Sequence, residues 1–281
     1  MTKIVTKASG EQEAFSKEKF QRSLRKSGAT EDLVEQLTQE VMQDPSLTST
    51  LDIYKYAFNK LRKNKPAVAA RYNLKAALSE LGPQGFPFEK FVAEIFRKKG
   101  FEAEVDQILS GFCVTHEVDV LLKKDGQHHM VECKFHIPHL KVNVKVPLYI
   151  KARFDDLEKR HQESKQDKAI HQAWVVTNTK FTSEAIAYGE CVGINLLGWA
   201  YPEKDNLARL IDEFGLHPVT ALTTLNRKQK RMIMGEGFVL CKDAAQHRKL
   251  LRSLGLNDQK IERVVQEAEE MCELGAINNG R

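Results

Sequence analysis

The sequence predicts an α+β and α/β multidomain chain of three successive segments. Residues 1–84 read as mostly helical behind a short strand pair, 85–200 as an α/β segment with a mixed sheet, and 201–281 as helical. Three observations predict this. The length of 281 residues is more than one domain commonly uses, at roughly 100–200 residues each. The apolar period switches from helical to alternating near residue 101 and back to helical near 205. Gly and Pro punctuate the first boundary, in Gly82-Pro83-Gln84-Gly85.

In the first segment, Lys3–Lys7 and Glu13–Phe15 read as short strands around a turn at Ala8-Ser9-Gly10. Helical periods follow at 17–27, 31–43, 50–63 and 67–81, with Thr50 as the expected N-cap of the third. In the central segment, Phe86–Lys99 carries apolar residues at 88, 91, 92, 95 and 96, a helical stripe closed by Gly100. Strands are expected at 101–106, 110–114, 117–122 and 129–135. Asp125-Gly126 between the last two is a hairpin signal. A helix at 147–164, a strand at 173–177, a helix at 182–190 and a strand at 194–197 complete a mixed sheet. The third segment reads as helices at 205–214, 226–233, 243–253 and 258–275.

Charge and cysteine usage exclude several classes. The formal net charge is +5, mildly basic, which permits a polyanionic partner without requiring one. It is unevenly spread: residues 1–84 hold 14 basic and 10 acidic side chains, residues 85–199 hold 16 of each, and residues 200–281 hold 13 and 12. Five cysteines, with no Cys-x-x-Cys pair, argue against a disulfide framework or zinc knuckle and suit a reducing cytoplasm. No apolar run reaches the roughly 18–20 residues of a membrane span. No Gly-x-x-x-x-Gly-Lys-Ser/Thr occurs, so a P-loop motor is unsupported.

The chemistry concentrates in the central segment. Alternation places Glu117, Asp119 and Leu121 on one face of a strand, with Val118 and Val120 on the other. After the hairpin, Glu132 and Lys134 share a face opposite Val131, Cys133 and Phe135. The antiparallel pairing sets Asp119 beside Glu132. Two adjacent carboxylates repel, and a hard divalent cation, Mg²⁺ or Mn²⁺, is the natural remedy. Lys134 would face the same point and orient an attacking water or offset charge on a phosphorane-like transition state. Glu89, on the preceding helix, is a further acidic candidate. The plainer alternative is the solvated face of an amphipathic hairpin. His116, His128, His129 and His136 flank these strands, as phosphate contacts or as ordinary sheet-edge residues.

Phe88-Glu89, Gly100-Phe101, Glu117-Val-Asp119 and Glu132-Cys-Lys134, with Val175-Val-Thr-Asn178 and Phe181 downstream, resemble the PD-(D/E)xK nuclease superfamily, and its Mrr-type restriction endonuclease branch most. The resemblance covers about 86–199. It implies metal binding by Asp119 and Glu132 with the Cys133 carbonyl as a third ligand, catalysis by Lys134, and assistance by Glu89.

In the first segment, Lys7 and Lys19 stand around a glycine turn and a helix start, a spacing that suits a polyphosphate or simply a small basic module. The stretch from Lys3 through Ala70-Arg-Tyr72 resembles an ATP-cone, the regulatory nucleotide-binding module of ribonucleotide reductases. That resemblance implies contact with ATP or dATP by Val5, Lys7, Glu13, Lys19 and Thr50, with Arg22 and Arg71 as lesser candidates. In the third segment, Asn226-Arg-Lys-Gln-Lys-Arg231 puts four basic residues in six at a helix start. It reads either as a helix–hairpin–helix-like contact to DNA phosphates or as the solvated end of a helical cap or dimerisation bundle.

The expected protein is a cytoplasmic, nucleotide-regulated, Mg²⁺-dependent DNA endonuclease, acting as a homo-oligomer away from membranes. The alternative is a nucleotide-responsive DNA-binding regulator whose nuclease fold does not cut. An RNA-directed nuclease is a third reading.

Overall fold

The computed structural model describes residues 3–7, 9–82, 86–136, 140–164 and 169–278, with side chains described for neither 163–164 nor 274–278. The expectations at Ala8 and at Pro83–Gly85 lie outside the described residues.

The chain opens with an antiparallel strand pair, β1 (Ile4–Thr6) and β2 (Gln12–Ala14). Helices α1 (Lys17–Lys26), α2 (Glu31–Gln43) and α3 (Thr50–Asn64) follow. The N-cap of α3 is Ser49, not Thr50: its hydroxyl accepts from Asp52 N while the Asp52 carboxylate accepts from Ser49 N. This reciprocal box satisfies two orphan donors where a Thr50 cap would satisfy one. The expected helix at 67–81 is two, α4 (Pro66–Tyr72) and α5 (Leu74–Ser79), broken at Asn73. Val5, Leu24, Val34, Leu37, Val41, Ala57 and Leu61 form this segment's core.

The central helix α6 (Phe86–Lys98) lies on a five-stranded sheet. Its strands are β3 (Glu102–Ser110), β4 (Thr115–Lys124), β5 (Gln127–Lys134), β7 (Ile170–Thr177) and β9 (Asn195–Leu197), side by side in that order. The pairs β3–β4 and β4–β5 are antiparallel, whereas β5–β7 and β7–β9 are parallel. Helices α7 (Lys145–Ser164) and α8 (Ser183–Val192) cover the face opposite α6. A small parallel pair, β6 (Lys141–Val142) with β8 (Lys180–Phe181), was not foreseen, being too short to carry a period. The Asp125-Gly126 turn has both residues at positive φ, 51° and 77°, the geometry this hairpin signal demands.

Two strands were expected at 101–106 and 110–114; a single strand, β3, runs to Ser110 and residues 111–114 are its turn into β4. Asp156 of α7 fastens that turn. Its carboxylate accepts from Cys113 N at 2.8 Å and pairs with His116 Nε2 at 2.7 Å. The pairing with His116 and the turn amides pull the Asp156 carboxyl down to about 2. A Cβ on Gly111 would overlap the Asp156 carboxylate and the Val114 carbonyl. Gly111→Ala is therefore expected to lower stability by about 1–2 kcal/mol, read as an earlier urea midpoint; an unchanged midpoint would show that the turn is not held this way.

The last helices are α9 (Leu207–Phe214), α10 (Arg227–Gly235), α11 (Cys241–Gln246), α12 (Arg248–Ser253) and α13 (Asp258–Asn278), with a 3₁₀ turn at Val219–Ala221. The expected helix at 243–253 is divided at His247. Leu207, Leu210 and Ile211 of α9 bury themselves in the central core beside Phe88, Phe91 and Val92. Ala67, Ala70 and Ala77 of α4 and α5 share a core with α10–α13. Arg71, a lesser nucleotide candidate, is buried there instead, 3.3 Å from Asp212 and donating to Met271 O. The three segments are thus packed together through their helices.

Candidate active site

Strand β4 changes its allegiance at Asp119. Val120 and Leu122 pack under α6, while Leu121 packs under α7 with Met130 and Val175. Strict alternation would return Val118 to the α6 side, but Val118 lies in the α7 core. The expectation that Glu117, Asp119 and Leu121 share one face opposite Val118 and Val120 is therefore overturned. The cause stands across the ladder: Asp106 of β3, at φ 55°, interrupts pairing between Val105↔Val120 and Gln107↔Val118. A left-handed residue in a strand re-aims its neighbours, and here the neighbour across is Asp119.

On the other side, the β4–β5 ladder stops at Val120↔Val131. Asp119 turns its Oδ2 to accept from Cys133 N at 2.6 Å. Strand β5 keeps the expected alternation: Val131, Cys133 and Phe135 face α6, and Glu132 points toward α7. The site lies at the carboxyl ends of the parallel strands β5 and β7, where Thr177 Oγ1 donates to Lys134 O and Asn178 clasps the backbone of His136 on both its N–H and its C=O. Carboxyl strand ends are where open α/β sheets present ligands.

Glu132 is buried and doubly compensated. Lys134 Nζ pairs with its Oε1, and Arg153 Nη1 of α7 donates to its Oε2 at 2.5 Å. Arg153 also donates to Glu117 O and stacks its guanidinium on Tyr149. Sequence reasoning missed Arg153. Its signal was readable: a charged residue between Ile150 and Leu157 on the apolar stripe of a helix.

The remaining carboxylates have no such cover. Burial, and then the Glu132 charge, push Asp119 up to about 6. Burial, and then Asp119, push Glu89 up to about 7. Glu89, Asp119 and Glu132 are therefore close enough to feel one another's charge. The structure brings together Glu89, Asp119, Glu132 and Lys134, with the Cys133 backbone between them. Of the histidines, His116 is engaged by Asp156, and the buried His129 packs edge-on against Phe101 at 5.3 Å.

Metal fit follows from these donors. Among the described residues, no three His, Cys, Asp or Glu side chains converge on one point. A cation here would take Asp119, Glu132, a backbone carbonyl such as that of Cys133, and waters. That set suits Mg²⁺, which binds through one or two carboxylates and keeps several waters. The crowding that raises Asp119 and Glu89 is the electrostatic condition a cation relieves.

The N-terminal candidates gather in part. Val5, Glu13, Lys19 and Thr50 line a cavity of about 220 Å³, together with Phe15, Tyr54 and Tyr72. Lys7 is held beside it, 2.7 Å from Glu13. Arg22 is exposed on α1.

Comparison with known proteins adds four findings. Residues 82–211 match the family model described as restriction endonuclease. Residues 217–272 match the one described as AF1548-like, C-terminal. An uncharacterized protein of Archaeoglobus fulgidus is 36% identical over 181 residues, which are 64% of this chain and 99% of the relative. The crystal structure of AF1548, described as a protein of unknown function, is similar at a TM-score of 0.56 and 35% identity, over 68% of this chain and 99% of that one. The acid–acid–lysine edge lies inside the restriction-endonuclease match.

Proposed function

The chain belongs to the AF1548-like family, with a restriction endonuclease-like central region, and we propose that it is a Mg²⁺- or Mn²⁺-dependent DNA endonuclease. The observation that carries this reading is the meeting of Asp119, Glu132 and Lys134 where the β4–β5 ladder ends, inside the restriction-endonuclease match.

A divalent cation on Asp119, Glu132 and the Cys133 carbonyl would supply Lewis acidity at the phosphodiester and a water of lowered pKa. The chain's own groups do the positioning. The Cys133 amide fixes the rotamer of Asp119, and Arg153 fixes that of Glu132. Lys134, a third exposed on its side chain, has its ammonium at the rim, where it orients the incoming water and meets negative charge developing on the phosphate oxygens. Glu89, with a carboxyl that titrates near neutrality, holds or relays a proton at its Oε atoms on the α6 side.

Purified protein with Mg²⁺ or Mn²⁺ is expected to nick or cut DNA, and Lys134→Ala and Asp119→Ala are expected to stop it. Undiminished cutting by both variants would sink the site; metal-independent binding without cutting by the wild-type chain would favour a non-cleaving DNA-binding regulator. Competition between DNA and RNA substrates separates the RNA-directed alternative.

The N-terminal cavity supports a second element, an ATP-cone-like nucleotide sensor. Four of the five candidate contacts line one cavity flanked by Tyr54 and Tyr72, whose rings stack 5.5 Å apart. Calorimetric titration should show ATP or dATP binding that Lys19→Ala weakens roughly tenfold, the loss of one charge-assisted phosphate contact. Equal affinity in the variant would remove the nucleotide from this cavity.

A further inference from the structure

The excess positive charge does not lie on the catalytic segment, where 16 basic and 16 acidic side chains cancel between residues 85 and 199. A polyanion cleaved at the Asp119–Glu132 edge needs phosphate contacts elsewhere. A cavity of about 690 Å³ lies between the N-terminal and C-terminal segments. Arg62, Lys63 and Lys65 line it from the end of α3, and Arg263 lines it from α13. All four are exposed, and none has an ion-pair partner among the described residues. Basic residues at a helix C-terminus have an ordinary explanation in the helix dipole. That explanation does not cover Arg263, in the first half of a different helix, facing the same space.

Glu267, 2% exposed, accepts from the amides and hydroxyls of both Thr223 and Thr224, at 2.6 to 3.0 Å. Its lone pairs are consumed by those four donors. Glu270 accepts from nothing on the cationic rim. The lining holds four cations, all exposed, against two carboxylates.

We propose that this cleft binds the phosphate backbone of nucleic acid, so that the N-terminal and C-terminal segments grip the polymer jointly at a place separate from the catalytic edge. The identity of the polymer as DNA rests on the nuclease reading; the cleft itself does not use the catalytic residues. Long flexible cations around an open mouth suit sequence-independent backbone contact. Such contact releases counterions and carries a salt signature.

The test uses the full chain in EDTA, with no cleavage required. Binding of a short fluorescein-labelled DNA duplex is followed by anisotropy across a salt series. The variant Arg62→Gln, Lys63→Gln, Arg263→Gln is expected to bind about tenfold or more weakly. Its slope of log K against log salt should be shallower by about 2–3, three lost phosphate contacts. A control with the same charge change at Lys17, Lys26 and Lys98, all exposed outside the cleft, should stay within about twofold of wild type; equal weakening in the two variants would reduce the effect to bulk charge and overturn the proposal. Unchanged binding by the cleft variant overturns it directly. Titration with tripolyphosphate is a third arm: cleft-dependent binding of that ion, with duplex binding unaltered, would give the cleft to a small polyphosphate instead. If wild type binds DNA through the cleft yet no metal supports cutting, the cleft stands and the nuclease reading falls.

Discussion

Asp119→Asn is expected to lower metal-dependent cleavage more than about 100-fold and, in the same protein, to raise the melting temperature of the metal-free chain at pH 8 by about 5 °C. The two effects have one cause. Asp119 sits in a mostly buried place beside Glu132, which holds its carboxyl at about 6 in the folded chain against an ordinary 3.8. A raised carboxyl pKa means that the folded state binds more protons than the unfolded state between those values. Stability therefore falls as pH rises from about 4 to about 6 and stays low above that window. A shift of this size corresponds to about 2 kcal/mol after allowance for the remaining exposure. Asn is isosteric, still accepts from Cys133 N through its Oδ1, and carries no charge to repel Glu132. Below about pH 3, where Asp119 is protonated in both states, wild type and variant should melt together. Calorimetry at pH 3 and pH 8, with and without Mg²⁺, checks the sign: a variant less stable than wild type at pH 8 would show that Asp119 is a structural acceptor first.

How much of this was legible in the sequence follows from particular residues. Helix α6 and strand β5 were readable because their signals are local: an apolar stripe at 88, 91, 92, 95 and 96, and a Glu-x-Lys alternation bounded by an Asp-Gly turn. The turn of Asp119 was not readable. It depends on Asp106 in another strand adopting a positive φ, and nothing in the periodicity of β4 records that. Arg153 was missed although its place on the apolar stripe of α7 was readable: its partners, Glu132 and the Glu117 carbonyl, are distant in sequence, and helix α7 offers several other basic residues. Arg71 shows the opposite error. It sits beside Tyr72, in a stretch with a nucleotide-binding look, yet burial against Asp212 and Met271 O commits it to holding segments together. Charge gave a similar lesson. Segment totals pointed away from a basic catalytic surface, while the clustering of Arg62, Lys63, Lys65 and Arg263 needed the packing of α13 against α4, the helix that follows α3, to appear.

The ion pair behind the site makes the second large effect. Arg153→Met should destabilise the metal-free chain by about 3 kcal/mol, because it strips a buried carboxylate of its buried cation. Glu132 and Arg153 have side chains only 7% and 9% exposed, so water restores little. Lys134 remains on the other carboxylate oxygen, which keeps the cost at the lower end of what breaking such a pair brings. Glu132→Gln placed on Arg153→Met should recover about half of the loss, since it removes the orphaned charge. A double variant no more stable than Arg153→Met would mean that Arg153 acts through its packed stem rather than its charge. The same pair bears on metal affinity. Arg153 holds Glu132 Oε2 and so competes with any cation for that carboxylate. Arg153→Met should therefore take up Mg²⁺ more tightly in a calorimetric titration, although the chain is less stable, and Glu132→Gln should take it up more weakly. Opposite shifts in fold stability and cation affinity from one substitution are what a competing guanidinium predicts; a parallel loss of both would place the cation away from Glu132.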